Sequence, residues 1–171
     1  MNATATAVFE PLGKHHDRAA FTCGNNDIDA YLQNLATQDE RRNLARVFVL
    51  VGREPSRIAG FYSLTNTRID IGELPEGQAR KLPHGRIIPG ALIGQLAISL
   101  DKKGQDIGEI LLIDALKRIV DASEISAVYA VVVDAIDEKA VAFYQRYGFI
   151  KFPKIHHRLF LPIETARQLA F

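Results

Sequence analysis

From Ala127 to Val133 the chain is apolar throughout, and this run constrains the fold more than any other feature. It is far shorter than the ~20 residues needed to cross a bilayer. It also lacks the alternation of a strand with one wet face, so it reads as a strand covered on both sides. Before it, Gly108 opens a segment in which Leu111, Leu112, Ala115, Leu116 and Ile119 form one helical stripe, opposite Asp114, Lys117, Arg118 and Asp121. After it, Asp137 is placed to cap a helix reaching Tyr147, with Gly148 as its stop. Ala91 to Ser99 is a further strand upstream. Strand, helix, strand in this order implies a parallel pair inside a mixed α/β (α+β) domain.

The first half supplies other elements. Ile28, Tyr31, Leu32, Leu35 and Ala36 keep helical spacing after the N-cap candidates Asn25 and Asn26, with Asp27 and Asp29 in the first turn. Val47 to Val51 and Ile58 to Thr65 read as a hairpin around Gly52 and Pro55. A polar, proline-bearing stretch from Glu73 to Pro89 carries a short helix near Glu76 to Lys81, and Phe149–Phe152 with Arg158–Leu161 forms a closing strand pair. No linker, repeat or low-complexity segment divides the chain, so residues 1–171 are expected to form one domain.

Composition sets limits on function. At 47% hydrophobic and 24% charged residues the chain is ordinary for a globular protein. The single cysteine, Cys23, excludes an internal disulfide and suits a reducing compartment. Met1 to Pro11 hold no Lys or Arg and no long apolar stretch, so no signal peptide is expected and the cytoplasm is the expected location, with no membrane partner. A net charge of +1 neither demands nor excludes nucleic acid. Basic residues gather at Arg41-Arg42 with Arg46, at Arg80-Lys81 with Arg86, and from Lys151 to Arg158. Taken singly, each cluster has the look of a solvated face. His15-His16 and His156-His157 read as surface or RNA-edge residues, and no metal is expected, because neighbours in a strand point to opposite faces.

The chemistry concentrates where the Ala91–Ser99 strand meets the Gly108 helix, at Leu100-Asp101-Lys102-Lys103-Gly104-Gln105-Asp106-Ile107-Gly108-Glu109. A loop entering a helix presents unpaired N–H groups at the positive end of the dipole, which suits a phosphate or pyrophosphate. Gly104 and Gly108 permit close approach, and Lys102 and Lys103 add charge. The glycine spacing is neither a P-loop nor a Rossmann turn, and on this segment alone an ordinary βα turn explains it equally well.

Gln95-Leu96-Ala97-Ile98 followed by Lys103-Gly104-Gln105-Asp106-Ile107-Gly108 resembles the acetyl-CoA motif of the GNAT superfamily, Gln/Arg-x-x-Gly-x-Gly/Ala. Ala140 to Phe149, with Phe143-Tyr144 and Gly148-Phe149, resembles that superfamily's second signature. More narrowly, Phe21-Thr22-Cys23-Gly24, Asp29-Ala30-Tyr31-Leu32, Ile58 to Leu64, Arg80-Lys81-Leu82-Pro83, Val131 to Ala135 and Arg158 to Pro162 resemble GNAT toxins of type II toxin–antitoxin systems, over a span from Phe9 to Pro162.

The resemblance implies a GNAT fold: a central mixed, mostly antiparallel twisted sheet with a V-shaped splay and flanking helices. Acetyl-CoA would enter the splay. Its pantetheine would pair with the backbone of Leu96, Ala97 and Ile98, and its pyrophosphate would rest on Lys103, Gly104, Gln105, Asp106, Ile107, Gly108 and Glu109. Asp137 falls within the same implied cofactor set, and Tyr144 stands where the family has the acid that protonates the departing thiolate. The toxin resemblance further implies an aminoacyl-tRNA as acceptor, a ribbon–helix–helix antitoxin as partner, and compatibility with a homodimer. Arg41, Arg42, Arg46, Arg80, Lys81 and Arg86 are the candidates for tRNA phosphate contacts. An α-amine, with pKa ~8, needs no strong base, and Ser99 or a water is the best local candidate for that task. Lys103 replaces the motif's Gln/Arg, and Asp106 replaces its first glycine, setting a carboxylate and a Cβ where the pyrophosphate approaches. Acetylation of a small amine or protein terminus, and a binding module that has lost the cofactor through Asp106, remain open as alternatives.

Overall fold

A computed structural model describes residues 7–171. The reading of Met1 to Pro11 as free of a signal peptide falls largely outside the described residues. Seven strands are ordered β1-β2-β3-β4-β5-β7-β6 in one sheet, all antiparallel neighbours except the parallel pair β4–β5 among those whose register is resolved. By contacts the chain gathers into two units, 1–65 with 94–113 and 66–93 with 114–171.

In the first unit, β1 (Val8–Pro11) pairs with β2 (Arg46–Val51), which pairs with β3 (Ile58–Ile69) up to the Arg46↔Leu64 register. Between β1 and β2 lie α1 (Asn26–Ala30), a π-helical turn (Tyr31–Leu35) and α2 (Ala36–Arg41). Asn25 caps α1 as expected, its side chain accepting from the N–H groups of Asp27 and Ile28. The π-turn alters the phase of the stripe. Ile28, Leu32 and Ala36 are buried, but Leu35 is 49% exposed, because the wider turn rotates it off the core face. The helix ends on Asn43 at φ 59°, with Leu44 N–H on Asp39 C=O and Asn43 N–H on Glu40 C=O, the paired bonds of a Schellman cap. Ile28, Leu32 and Ala36 pack with Val47, Val49, Phe61 and Ala97 as this unit's core. Gly60 lets the helix that carries Leu111 approach β3: a Cβ there would stand 2.9 Å from Leu111 Cδ1 and 3.0 Å from the Ala97 carbonyl.

In the second unit, the part of β4 (Ile88–Ile98) up to Ile93 pairs in parallel with β5 (Ala130–Asp134), from Gly90↔Ala130 to Ile93↔Val133. β4 then continues to Ile98 beyond that ladder. β7 (Arg158–Pro162) lies antiparallel to β5 and carries β6 (Ile150–Lys151). Ala130 to Val133 are fully buried, as a strand covered on both faces requires. Around them are α3 (Glu76–Ala79), the later turns of α4 (Ile107–Ser123), α5 (Glu138–Gln145) and α6 (Ile163–Ala170). Asp137 caps α5 through the Ala140 N–H at 2.8 Å, and Gly148 at φ 94° closes it, with Phe149 N–H on Tyr144 C=O. β1 and α6 lie outside the sequence reading: the first is four residues ending in proline, and the second hides only Ala166 and Ala170.

Candidate active site

The loop before α4 is built by backbone conformation. β4 ends at Ile98, Leu100–Lys102 make one 3₁₀ turn, and Gly104 (φ 82°) and Asp106 (φ 58°) both adopt left-handed geometry before the helix starts at Ile107. Ile110 N–H reaches Asp106 C=O at 3.2 Å, so the N–H groups before it in the first turn have no intrahelical acceptor. Lys103, Gly104, Gln105, Asp106 and Glu109 are exposed, whereas Ile107 and Gly108 are buried. Seventeen residues of aligned peptide dipoles stand behind these donors. The left-handed φ at residue 106 explains a motif glycine at this position. Aspartate is among the residues that tolerate that region, so the backbone of the cradle is compatible with Asp106 and only its charge departs from the motif.

Leu96, Ala97 and Ile98 lie on the part of β4 beyond the β5 ladder. Just before them, the Gln95 N–H donates to Ser63 Oγ at 3.0 Å, with Gly94 so close to that hydroxyl that a Cβ would meet it at 2.8 Å. Ser99 is buried and gives its proton to Asp101, which also pairs with Arg57. The Ser99 hydrogen bond, followed by Arg57, holds the Asp101 carboxyl below its usual range. Ser99 could hand a proton only toward Asp101, and the Arg57 ion pair that keeps this carboxylate ionised makes the pair a weaker proton acceptor. A cavity of about 400 Å³ opens beside this loop, lined by the polar Arg53, Glu54, Arg57, Lys102 and Gln105 and by apolar residues that include Leu50, Val51, Ala59 and Ile107.

In the second unit, Tyr144 on α5 is 7% exposed and packs against Phe143 and Phe149, ring centroids 5.2 and 5.3 Å away. Burial, and secondarily the Asp134 carboxylate, push its phenol well above the ordinary range. It therefore holds its proton at neutral pH, the state a proton donor needs. Arg158 clamps Asp134 through two bonds of 2.8 and 3.0 Å. Asp137 is exposed and engaged as the α5 cap.

Arg41, Arg42 and Arg46 are exposed in the first unit, where Arg46 leans on Asn43 at 2.7 Å and Glu40 at 3.4 Å. Arg80, Lys81 and Arg86 are exposed in the second, where Arg80 pairs with Glu76 at 3.3 Å.

The histidine reading needs correction. Both pairs sit in turns, not strands, and their rings lie close, tilted with centroids 3.9 Å apart for His15–His16 and stacked at 3.6 Å for His156–His157. His16 is buried, not a surface residue. Glu10, His15 and His16 bring ligand-type atoms within 4.8 Å of one another. However, His16 Nδ1 accepts the Gly13 N–H at 2.9 Å, which puts the ring proton on Nε2, donated to Glu10 at 2.6 Å. No lone pair of His16 is left for a metal, and the cluster is a hydrogen-bonded tie between β1 and the following turn.

Residues 78–156 match the profile of the acetyltransferase (GNAT) domain. Along 96% of its length the chain is 33% identical to the "Probable toxin TacT" of Sinorhizobium fredii (strain NBRC 101917 / NGR234), covering 96% of that protein. It is 29% identical to the "tRNA-acetylating toxin" of Mycobacterium tuberculosis (strain ATCC 25618 / H37Rv), over 90% of each chain. The structure of AtaT complexed with acetyl-methionyl-tRNAfMet superposes with a TM-score of 0.87 at 26% identity, covering 96% of this chain and 99% of that one. With these likenesses, the cradle before α4 and the protonated Tyr144, the chain belongs to the GNAT acetyltransferase family.

Proposed function

We propose that this chain is a single-domain, acetyl-CoA-dependent N-acetyltransferase whose acceptor is the α-amino group of an aminoacyl-tRNA, and that it acts as the toxin of a toxin–antitoxin pair. The observation that carries this is the 33% identity, over nearly the full length, to a probable toxin, together with the fold shared with AtaT, whose structure holds acetyl-methionyl-tRNA. We assign Leu96, Ala97 and Ile98 to the pantetheine, and Lys103, Gly104, Gln105, Asp106, Ile107, Gly108 and Glu109, with Asp137, to the rest of the cofactor. The free N–H groups of the α4 start fit a diphosphate, and Tyr144 fits a thiolate's proton donor.

When bound, acetyl-CoA supplies an activated acetyl thioester. The amine nitrogen would form a bond to the acetyl carbon and lose one proton to solvent, the carbon–sulfur bond would break, and Tyr144 would give its phenolic proton to the sulfur and regain one from solvent. Arg41, Arg42, Arg46, Arg80, Lys81 and Arg86 are assigned to tRNA phosphates, a role that exposed guanidinium and ammonium groups fill without reading sequence. Among the described residues no helix is long and apolar enough to cross a membrane, and we place the protein in the cytoplasm, where charged tRNA is found. A ribbon–helix–helix antitoxin is the proposed partner, with a homodimer compatible with the assignment. The test is induced expression in a bacterial host. Growth arrest with the native chain, abolished by Tyr144→Phe and relieved by co-expression of the adjacent partner gene, supports the reading; unimpaired growth and translation at full expression oppose it.

A further inference from the structure

An acceptor amine must lose a proton before or as it attacks, and beside Ser99 the Asp101 carboxylate is already ion-paired with Arg57. The first unit holds a second hydroxyl–carboxylate chain, and it adjoins the same strand. Ser63 on β3, 4% exposed, accepts the Gln95 N–H at 3.0 Å, one residue before the β4 segment assigned to the cofactor. Ser63 adjoins the Tyr31 phenol and favours its ionised form, and the Tyr31 hydroxyl donates to Asp39 Oδ2 at 3.2 Å. Tyr31 opens the π-helical turn and stacks on Phe61, with rings 12° from parallel. Such turns recur where a helix must re-aim a functional side chain. Tyr31 and Asp39 are both half-buried, so the chain runs from the buried Ser63 toward solvent.

Resting on the acetyltransferase reading, we propose that Tyr31 takes the proton from the acceptor amine while passing its own proton to Asp39. The oxygen count permits this. The Tyr31 oxygen gives its one proton to Asp39 and has two lone pairs, so it can accept the incoming ammonium N–H. The ammonium N–H bond breaks and an O–H bond forms on Tyr31. The original Tyr31 O–H bond breaks toward Asp39, whose carboxylate becomes a carboxylic acid and releases the proton to solvent. Tyr31 ends as it began. Burial first, then Asp39, raise the Tyr31 phenol to about 12, which suits a group that relays a proton and never stands as a free phenolate. The other charged group facing Tyr31 is Glu40, tied to Arg46 at 3.4 Å and to the Val47 N–H at 2.6 Å. Ser63 is the positioning residue, because it adjoins the Tyr31 phenol and holds the Gln95 N–H.

The experiment compares the full chain with Tyr31→Phe and Asp39→Asn. It measures acetyl transfer from acetyl-CoA to a mixture of charged tRNAs between about pH 6.5 and 9, a range that brackets the ~8 of an α-amine. Expected is a turnover loss on the order of a hundredfold at pH 7 in each variant, in line with general-base contributions. The loss shrinks toward pH 9, where the amine arrives neutral, and acetyl-CoA affinity by calorimetry is unchanged. The double variant is no worse than either single one. Turnover in both variants that parallels the native pH profile overturns the relay. Asp39→Asn leaves the Tyr31 ring stack intact and decides the matter if Tyr31→Phe melts early. An absence of transfer by the native chain at every pH instead removes the acetyltransferase reading, and the relay with it.

Discussion

Replacing Asp106 isolates one charge at the proposed diphosphate cradle. Residue 106 sits at φ 58°, a conformation that Asn and Gly also adopt, so Asp106→Asn and Asp106→Gly keep the loop and remove the carboxylate. Asp106 is exposed, so bulk water sets the scale. Two unit charges ~5 Å apart repel by ~0.8 kcal/mol in water, which doubles to ~1.7 kcal/mol against a doubly charged diphosphate. That corresponds to ~16-fold in affinity at low salt. With a Debye length of ~8 Å at physiological ionic strength, about half of the effect survives, leaving ~4-fold. Asp106→Ala also removes the charge but forces an ordinary Cβ into the left-handed region, at ~1 kcal/mol, so it should melt ~2–4 °C below Asp106→Gly. Calorimetric titration with acetyl-CoA at low and physiological salt measures both parts. Affinity unchanged in Asn and Gly variants at low salt, or a gain that does not shrink with salt, refutes this electrostatic account of the substitution.

Gly60→Ala should cost ~1–3 kcal/mol, because the new methyl meets Leu111 and the unyielding Ala97 carbonyl; chemical denaturation reads this as a lower midpoint with an unchanged slope. Asp137→Ala should cost ~1 kcal/mol through the lost α5 cap, seen as a lower melting temperature. Glu10 has its carboxyl held below its ordinary range by hydrogen bonds from His16 and then His15. Its contribution is therefore present above the unfolded value of ~4.3 and lost as pH falls through the lowered folded one. Glu10→Gln should accordingly melt earlier than the native chain at pH 7, with the gap closing below about pH 4.

The sequence disclosed the elements whose burial is simple. Ala130 to Val133 read as a doubly covered strand because no side chain there needs water, and Asn25 and Asp137 read as caps because their side-chain oxygens serve helix N–H groups. It did not disclose the π-turn, since Tyr31 to Leu35 continue a regular stripe in one dimension and only packing against β3 decides where the extra residue goes. The exposed Leu35 is the consequence. His16 was illegible for a related reason: strand logic fails in a turn, and its buried bonds to Gly13 and Glu10 depend on a fold that β1 completes. At the candidate site, the loop and Tyr144 followed from motif resemblance. The Ser63–Tyr31–Asp39 chain joins residues 32 and 8 positions apart and has no local signature.

The most direct test of the central assignment is to incubate the purified chain with acetyl-CoA carrying a labelled acetyl group and with charged tRNA, then hydrolyse the ester and identify the released amino acids. The assignment requires label on the α-nitrogen of one or more amino acids, with Tyr144→Phe reducing it sharply. Label that never leaves the cofactor, or that appears only on added small amines, contradicts it.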